Sequence, residues 1–209
     1  MATLTGVQIT LPDGGINNID IAANANIETT KMEQRVLAEH IVPRDAFRVW
    51  DAITTNAVSA AANDDLGLVT GTWGSAVNKI TAGDCKALGA TTRRIYFSVP
   101  VPPNYDDGQT IQLRFRAKME TTVSDGSCTI DAEAYIANDG TLTSDLVATA
   151  AQSMNSLTAA NYNFTLSSGS IDPGDLLEVR LTIACVDSAT ATAVTPAIYE
   201  VALLCDTRG

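Results

Sequence analysis

The chain has 209 residues, enough for one large β domain on a single core, and is 45% hydrophobic but only 18% charged, with Thr, Ser, Asn and Gly prominent in the remainder. Its formal charge of -11 is unevenly spread, because residues 1–118 carry 12 acids against 11 bases, whereas residues 119–209 carry 12 acids against Arg180 and Arg208 alone. Without clustered Lys and Arg to displace counterions, nucleic acid is an unsuitable partner; no run approaches the roughly 20 apolar residues of a membrane span, so a soluble chain without an export signal is expected.

Residues 1–30 contain no Lys or Arg and are rich in Asn, Ala, Thr and Gly. They read as an extended N-terminal arm, either laid over a neighbouring subunit or frayed; residues 31–209 then form a single domain. From Glu33 to Val42 apolar and polar residues alternate until Pro43 stops the run, which predicts a strand. A short strand is expected at Phe47 to Trp50, then a small-residue stretch that is loop or short helix, then a strand at 66–73.

From Thr92 onward the alternation is clearer. Strands are predicted at 92–101, 109–119, 127–137, 161–167, 175–186 and 196–205, separated by turn-rich pieces such as NYDDG, SDGS, NDG and IDPGD. With the earlier pieces this gives eight to ten strands, as an all-β, antiparallel β-sandwich of jelly-roll type requires. A two-residue turn at Asp125-Gly126 would pair the flanking strands with Lys118 opposite Glu133, Ala117 opposite Ala134 and Phe115 opposite Ile136. Near the turn it would also oppose Glu120 to Asp131. Two stripes of core residues are expected, Leu177, Val179, Leu181, Ile183 and Cys185 on one strand, and Tyr199, Val201, Leu203 and Cys205 on another.

The residues offer little catalytic chemistry. His40 is the one histidine, which removes serine or cysteine triads and histidine-rich metal sites. The carboxylate pairs Asp64-Asp65, Asp106-Asp107 and Asp131 with Glu133 occupy turns or face basic residues, unlike the paired acids of a glycosidase. No turn has EF-hand spacing, and no glycine-rich nucleotide loop is present. No cofactor or metal is therefore expected. Cys85, Cys128, Cys185 and Cys205 are far apart without a Cys-x-x-Cys pair and read as small buried apolar residues. Trp50 and Trp73 are read as core or interface residues in preference to sugar-stacking platforms. Arg93, Arg94, Arg114, Arg116 and Lys118 form the basic concentration; cross-strand pairing explains it most simply, and docking onto an acidic partner is the sharper alternative. With Trp73 they are the candidate partner contacts.

The stretches AFRVWDAITTN, ANDDLGLVTGTWG and SIDPGDLLEVRLTIACVDSATATA, with the closing LLCD, resemble tailed-phage and prophage virion structural proteins over roughly residues 33–209. The best-understood similar class is the jelly-roll capsid decoration or cement protein. The resemblance implies a homotrimer on the outer capsid of the virion, made in the host cytoplasm, clamping neighbouring copies of the major capsid protein. Because PGD followed by an alternating strand also occurs in carbohydrate-binding jelly rolls, the alternative is a glycan-binding or host-adhesion module of a phage tail. Neither reading is enzymatic.

Overall fold

The period-2 alternation of the sequence becomes strand throughout the computed structural model, which describes residues 35–57, 63–72, 74–122, 126–138, 141–187 and 193–208. The arm expected at 1–30 lies outside these residues, as do 58–62 of the small-residue stretch. Thirteen strands are present among the described residues: β1 (Arg35–Ile41), β2 (Arg48–Val49), β3 (Ala52–Asn56), β4 (Gly67–Val69), β5 (Lys79–Thr81), β6 (Ala87–Pro100), β7 (Ile111–Thr121), β8 (Gly126–Asn138), β9 (Thr141–Leu142), β10 (Gln152–Ser153), β11 (Ala160–Thr165), β12 (Leu176–Asp187) and β13 (Thr195–Arg208). Helical structure among them is confined to two 3-10 turns, Arg44–Ala46 and Ser168–Ser170.

The strands form two antiparallel sheets. Sheet I has six strands in the order β11-β7-β13-β5-β4, with β1 also pairing β13; sheet II has seven, in the order β10-β8-β12-β6-β2-β3, with β9 beside β8. The long strands β6, β7 and β8, and again β11, β12 and β13, alternate between the sheets. This is the crossing pattern of a jelly-roll sandwich, and the fold is of that type.

Alternation sets which side chains meet between the sheets. Ile111, Leu113, Phe115, Ala117 and Met119 of β7 point inward and are fully buried, as are Leu177, Val179, Leu181, Ile183 and Cys185 of β12. All four phenylalanines of the chain join in one series of ring contacts. Phe47 meets Phe97 at 5.2 Å between centroids, Phe97 meets Phe115 across the sandwich at 6.4 Å, and Phe115 meets Phe164 at 5.7 Å. The tilted and edge-on geometries are those that aromatic quadrupoles favour.

Sequence expectations are corrected at the turn and at the cysteines. The hairpin at Asp125-Gly126 does not form, because β7 and β8 belong to different sheets. β7 ends at Thr121 in sheet I and β8 begins at Gly126 in sheet II, so Phe115 and Ile136 line the core from opposite sides. Glu133 pairs instead with Arg180 of β12, and Lys118 stands over the ring of Tyr199. The second correction concerns the cysteines. Cys85 and Cys205 are buried free thiols as expected, but Cys128 and Cys185 are joined in a disulfide. They are 57 residues apart in sequence and directly opposed in the β8–β12 ladder, so only the pairing of those strands brings them together.

Phe115 touches aromatic partners in both sheets, so Phe115→Ala should destabilise the domain by about 3–5 kcal/mol through lost burial and a residual cavity. Urea unfolding followed by circular dichroism would measure it; a loss below about 1 kcal/mol would mean that the core closes over the gap.

Candidate ligand-binding cleft

An irregularity in β13 shapes a concavity on the outer side of sheet I. Along β13, Val201, Leu203 and Cys205 are buried as the stripe predicts, but the register with β7 shifts between Ile198 and Glu200. This β-bulge inserts one residue, so Ile198 keeps the inward position and Tyr199, expected in the core stripe, turns outward. The Tyr199 hydroxyl donates to Glu120 at 3.3 Å, and the Lys118 ammonium lies 5.8 Å from the ring centroid. Burial, reinforced by the Glu120 charge, holds the phenol above its ordinary value of 10, so it remains a donor at neutral pH.

Arg116, Lys118 and Glu120 project from the same side of β7, because residues two apart on a strand share a face. Lys79 on β5 forms an ion pair with Glu120. Two loops rise beside this floor. Between β4 and β5, the amides of Ser75 and Ala76 both donate to the Thr72 carbonyl at 3.0 Å, and the Gly71 amide donates to Asn78 Oδ1 at 2.8 Å. Arg44 ties this loop to the bulge by donating to the carbonyls of Asn78, at 2.8 Å, and Tyr199, at 3.2 Å. Between β10 and β11, the Ser156 carbonyl accepts from Met119 at 2.7 Å, anchoring the second loop to β7. Val77 and Leu157, 67% and 60% exposed, stand on the two loops.

The resulting cleft has a volume of about 530 Å³ and is lined by Tyr199, Arg116, Lys118, Glu120 and Lys79 with the loop residues. That lies within the roughly 300–1,000 Å³ usual for small-ligand sites. Among the described residues that line it, Glu120 is the one carboxylate, held by Lys79 and Tyr199. Glycoside hydrolysis uses two carboxyls across the scissile bond; the described lining residues include one.

The residues singled out from sequence are distributed between the sheets. Arg116 and Lys118 line the cleft together. Arg114 lies farther along the same face, where it bridges Glu39 of β1 and Glu200 of β13, the latter at 2.7 Å. Arg94 is on sheet II, paired with Asp64 at 3.6 Å and placed 4.9 Å from the Trp50 ring centroid; Arg93 donates to the Asn63 carbonyl. Trp73 lies outside the described residues. Trp50 is flanked by Arg94 and by Arg180, the latter at 5.6 Å, so cations already lie over its ring. Nearby on β8, burial pushes the Asp131 carboxyl above its ordinary value, with Glu133 and Asp145 adding to the rise. Among the described residues, no group of three or more His, Cys, Asp or Glu could hold a metal ion, and no helix is long and apolar enough to cross a membrane.

Neither a family model nor a curated protein matches the chain. Among solved structures, it is similar to the xylan-binding module CBM15, with 16% identity, coverage of 83% of this chain and 100% of that one, and a TM-score of 0.44. It is similar also to the CBM22-1 xylan-binding domain of Xyn10C from Paenibacillus barcinonensis, with 10% identity, coverage of 83% and 99%, and a TM-score of 0.40. A structure of infectious bursal disease virus, Gt strain, aligns with 85% of this chain and 33% of its own, at 10% identity and a TM-score of 0.35.

The wall between β4 and β5 depends on close approach of backbone at Gly71, where an added Cβ would lie 2.5 Å from the Ala76 carbonyl carbon and oxygen. Gly71→Ala should therefore open this loop while leaving the sandwich folded. Hydrogen exchange resolved by residue should show faster exchange at Ser75 and Ala76 with β7 and β12 unchanged; protection equal to that of the parent would show that the loop absorbs the methyl group.

Proposed function

We propose that the chain is a non-catalytic glycan-binding module whose ligand lies in the cleft over β7 and β13. The observation that carries this reading is the bulge that sets Tyr199 among charged side chains in a cleft of about 530 Å³. A sugar presents C–H faces that pack on an aromatic ring and hydroxyls that both donate and accept. Tyr199 supplies the first contact; Arg116, Lys118 and Lys79 as donors and Glu120 as acceptor supply the second. The single, already engaged carboxylate supports binding without hydrolysis.

The setting we propose is a phage particle that displays the module towards its host, as an adhesion element of the tail. The Cys128–Cys185 disulfide is in keeping with exposure outside the cell, because such bonds persist in oxidising surroundings and on virion surfaces. Tyr199→Ala should weaken binding to the recognised glycan by roughly tenfold, the scale of one lost aromatic contact with its buried area. Glycan-array screening of the parent, followed by titration calorimetry of the variant, tests this. An array without a single bound glycan would sink the reading.

A second reading, a trimeric capsid-decoration protein bound to the major capsid protein, is favoured by Leu37 and Ile41. These residues of β1 are 60% and 58% exposed on either side of Glu39, along the edge of sheet I. An exposed apolar edge strand is suited to subunit contact. Under this reading the Leu37→Ser, Ile41→Ser double variant should sediment as a monomer where the parent is a trimer. A parent that is itself monomeric at micromolar concentration, and fails to bind purified capsids, would exclude it.

A further inference from the structure

We infer that the cleft is selective for acidic glycans, with a sugar carboxylate held between Arg116 and Lys118; the inference rests on the glycan-binding reading above. Several cations on the outer face of sheet I are paired with carboxylates. Arg114 is bound by Glu39 and Glu200, and Lys79 by Glu120. Arg116 stands opposite Glu200 in the β7–β13 ladder, yet Glu200 is turned to Arg114. The described contact of the Arg116 guanidinium is a long one, 3.5 Å to Asn161 Oδ1, and that of the Lys118 ammonium is the Tyr199 ring. Among the described residues, neither cation has a carboxylate partner.

Two cations without a carboxylate partner among the described residues therefore line a cleft in a chain whose formal charge is -11. They alternate with Ala117 on one strand, which sets their backbones about 7 Å apart. Both side chains can reach a single carboxylate from that spacing, the guanidinium by two parallel N–H donors and the ammonium as a point charge. Because Lys118 lies over the Tyr199 ring, a carboxylate held by the ammonium would bring its pyranose next to the phenol.

The test uses the whole chain and three probes: oligogalacturonate, the same oligomer with its carboxyls methyl-esterified, and poly-glutamate of matched charge. Calorimetry at fixed ionic strength should show oligogalacturonate binding at least about tenfold more tightly than the ester, since hydrogen bonds to charged groups exceed neutral ones. Arg116→Gln and Lys118→Gln should each remove most of that difference, while Arg116→Lys retains part of it; circular dichroism would verify that each variant is folded. Equal binding of acid and ester would overturn the charge selectivity and leave glycan binding intact. Poly-glutamate binding as tightly as oligogalacturonate would also overturn the inference, in favour of an acidic protein surface as the ligand. Binding of neither sugar probe, with array hits restricted to uncharged glycans, would again refute acid selectivity. An empty array would count against the glycan reading itself.

Discussion

The outer face of sheet I depends on one extra residue in β13. That strand pairs with β7 along one side and with β5 and then β1 along the other, so its register is fixed by three neighbours. Ile198 and Val201 must both face the core, and strict alternation cannot place two residues three apart on one side of a strand. The bulge resolves the conflict. It keeps the buried stripe continuous on either side and sends Tyr199 and Glu200 outward together. A ladder without the bulge would have to bury a phenol or expose an isoleucine, and the concavity would lose its aromatic floor.

Charge is distributed with the same economy. On sheet II, Arg94 and Arg180 flank Trp50 and each has an acidic partner, in Asp64 and Glu133. At the far end of sheet I, Arg114 lies over the small Ala202 of β13 to reach Glu39 on the strand beyond. Such pairs contribute little stability where solvent reaches them, yet they neutralise the faces that carry them. On the outer face of β7, Arg116 and Lys118 are left without a carboxylate partner among the described residues.

The sequence made the strands legible because period-2 alternation reports burial on one face. The six strands expected from Thr92 onward are all present, and Val179 or Phe115 could be assigned inward without knowing their neighbours. Alternation is silent about which strand lies alongside and which lies across the core. Phe115 and Ile136 satisfy the pattern equally well either way, and that is why a plausible turn at Asp125-Gly126 suggested a hairpin that the sandwich does not contain. The disulfide was hidden for the same reason, since it depends on the β8–β12 pairing. Of the cleft, Arg116 and Lys118 were legible as a basic concentration. Tyr199 was not, because the one local signal of a bulge was a polar hydroxyl in an otherwise aliphatic stripe. The short strand β5, which supplies Lys79, is three residues long and too brief for any periodicity to register.

The pairing of β1 with β13 sets Arg35 directly opposite Arg208, so the two ends of the described domain meet at the same end of one ladder. Tension applied between these residues would act across the ladder, loading its hydrogen bonds one after another. The domain should therefore peel from this corner like a zip, and not shear as a block. Resistance rises first at Glu39, halfway along β1, where Arg114 fastens the strand to the sheet. Under such a load the domain would yield gradually at one edge, while the cleft over β7 kept its shape.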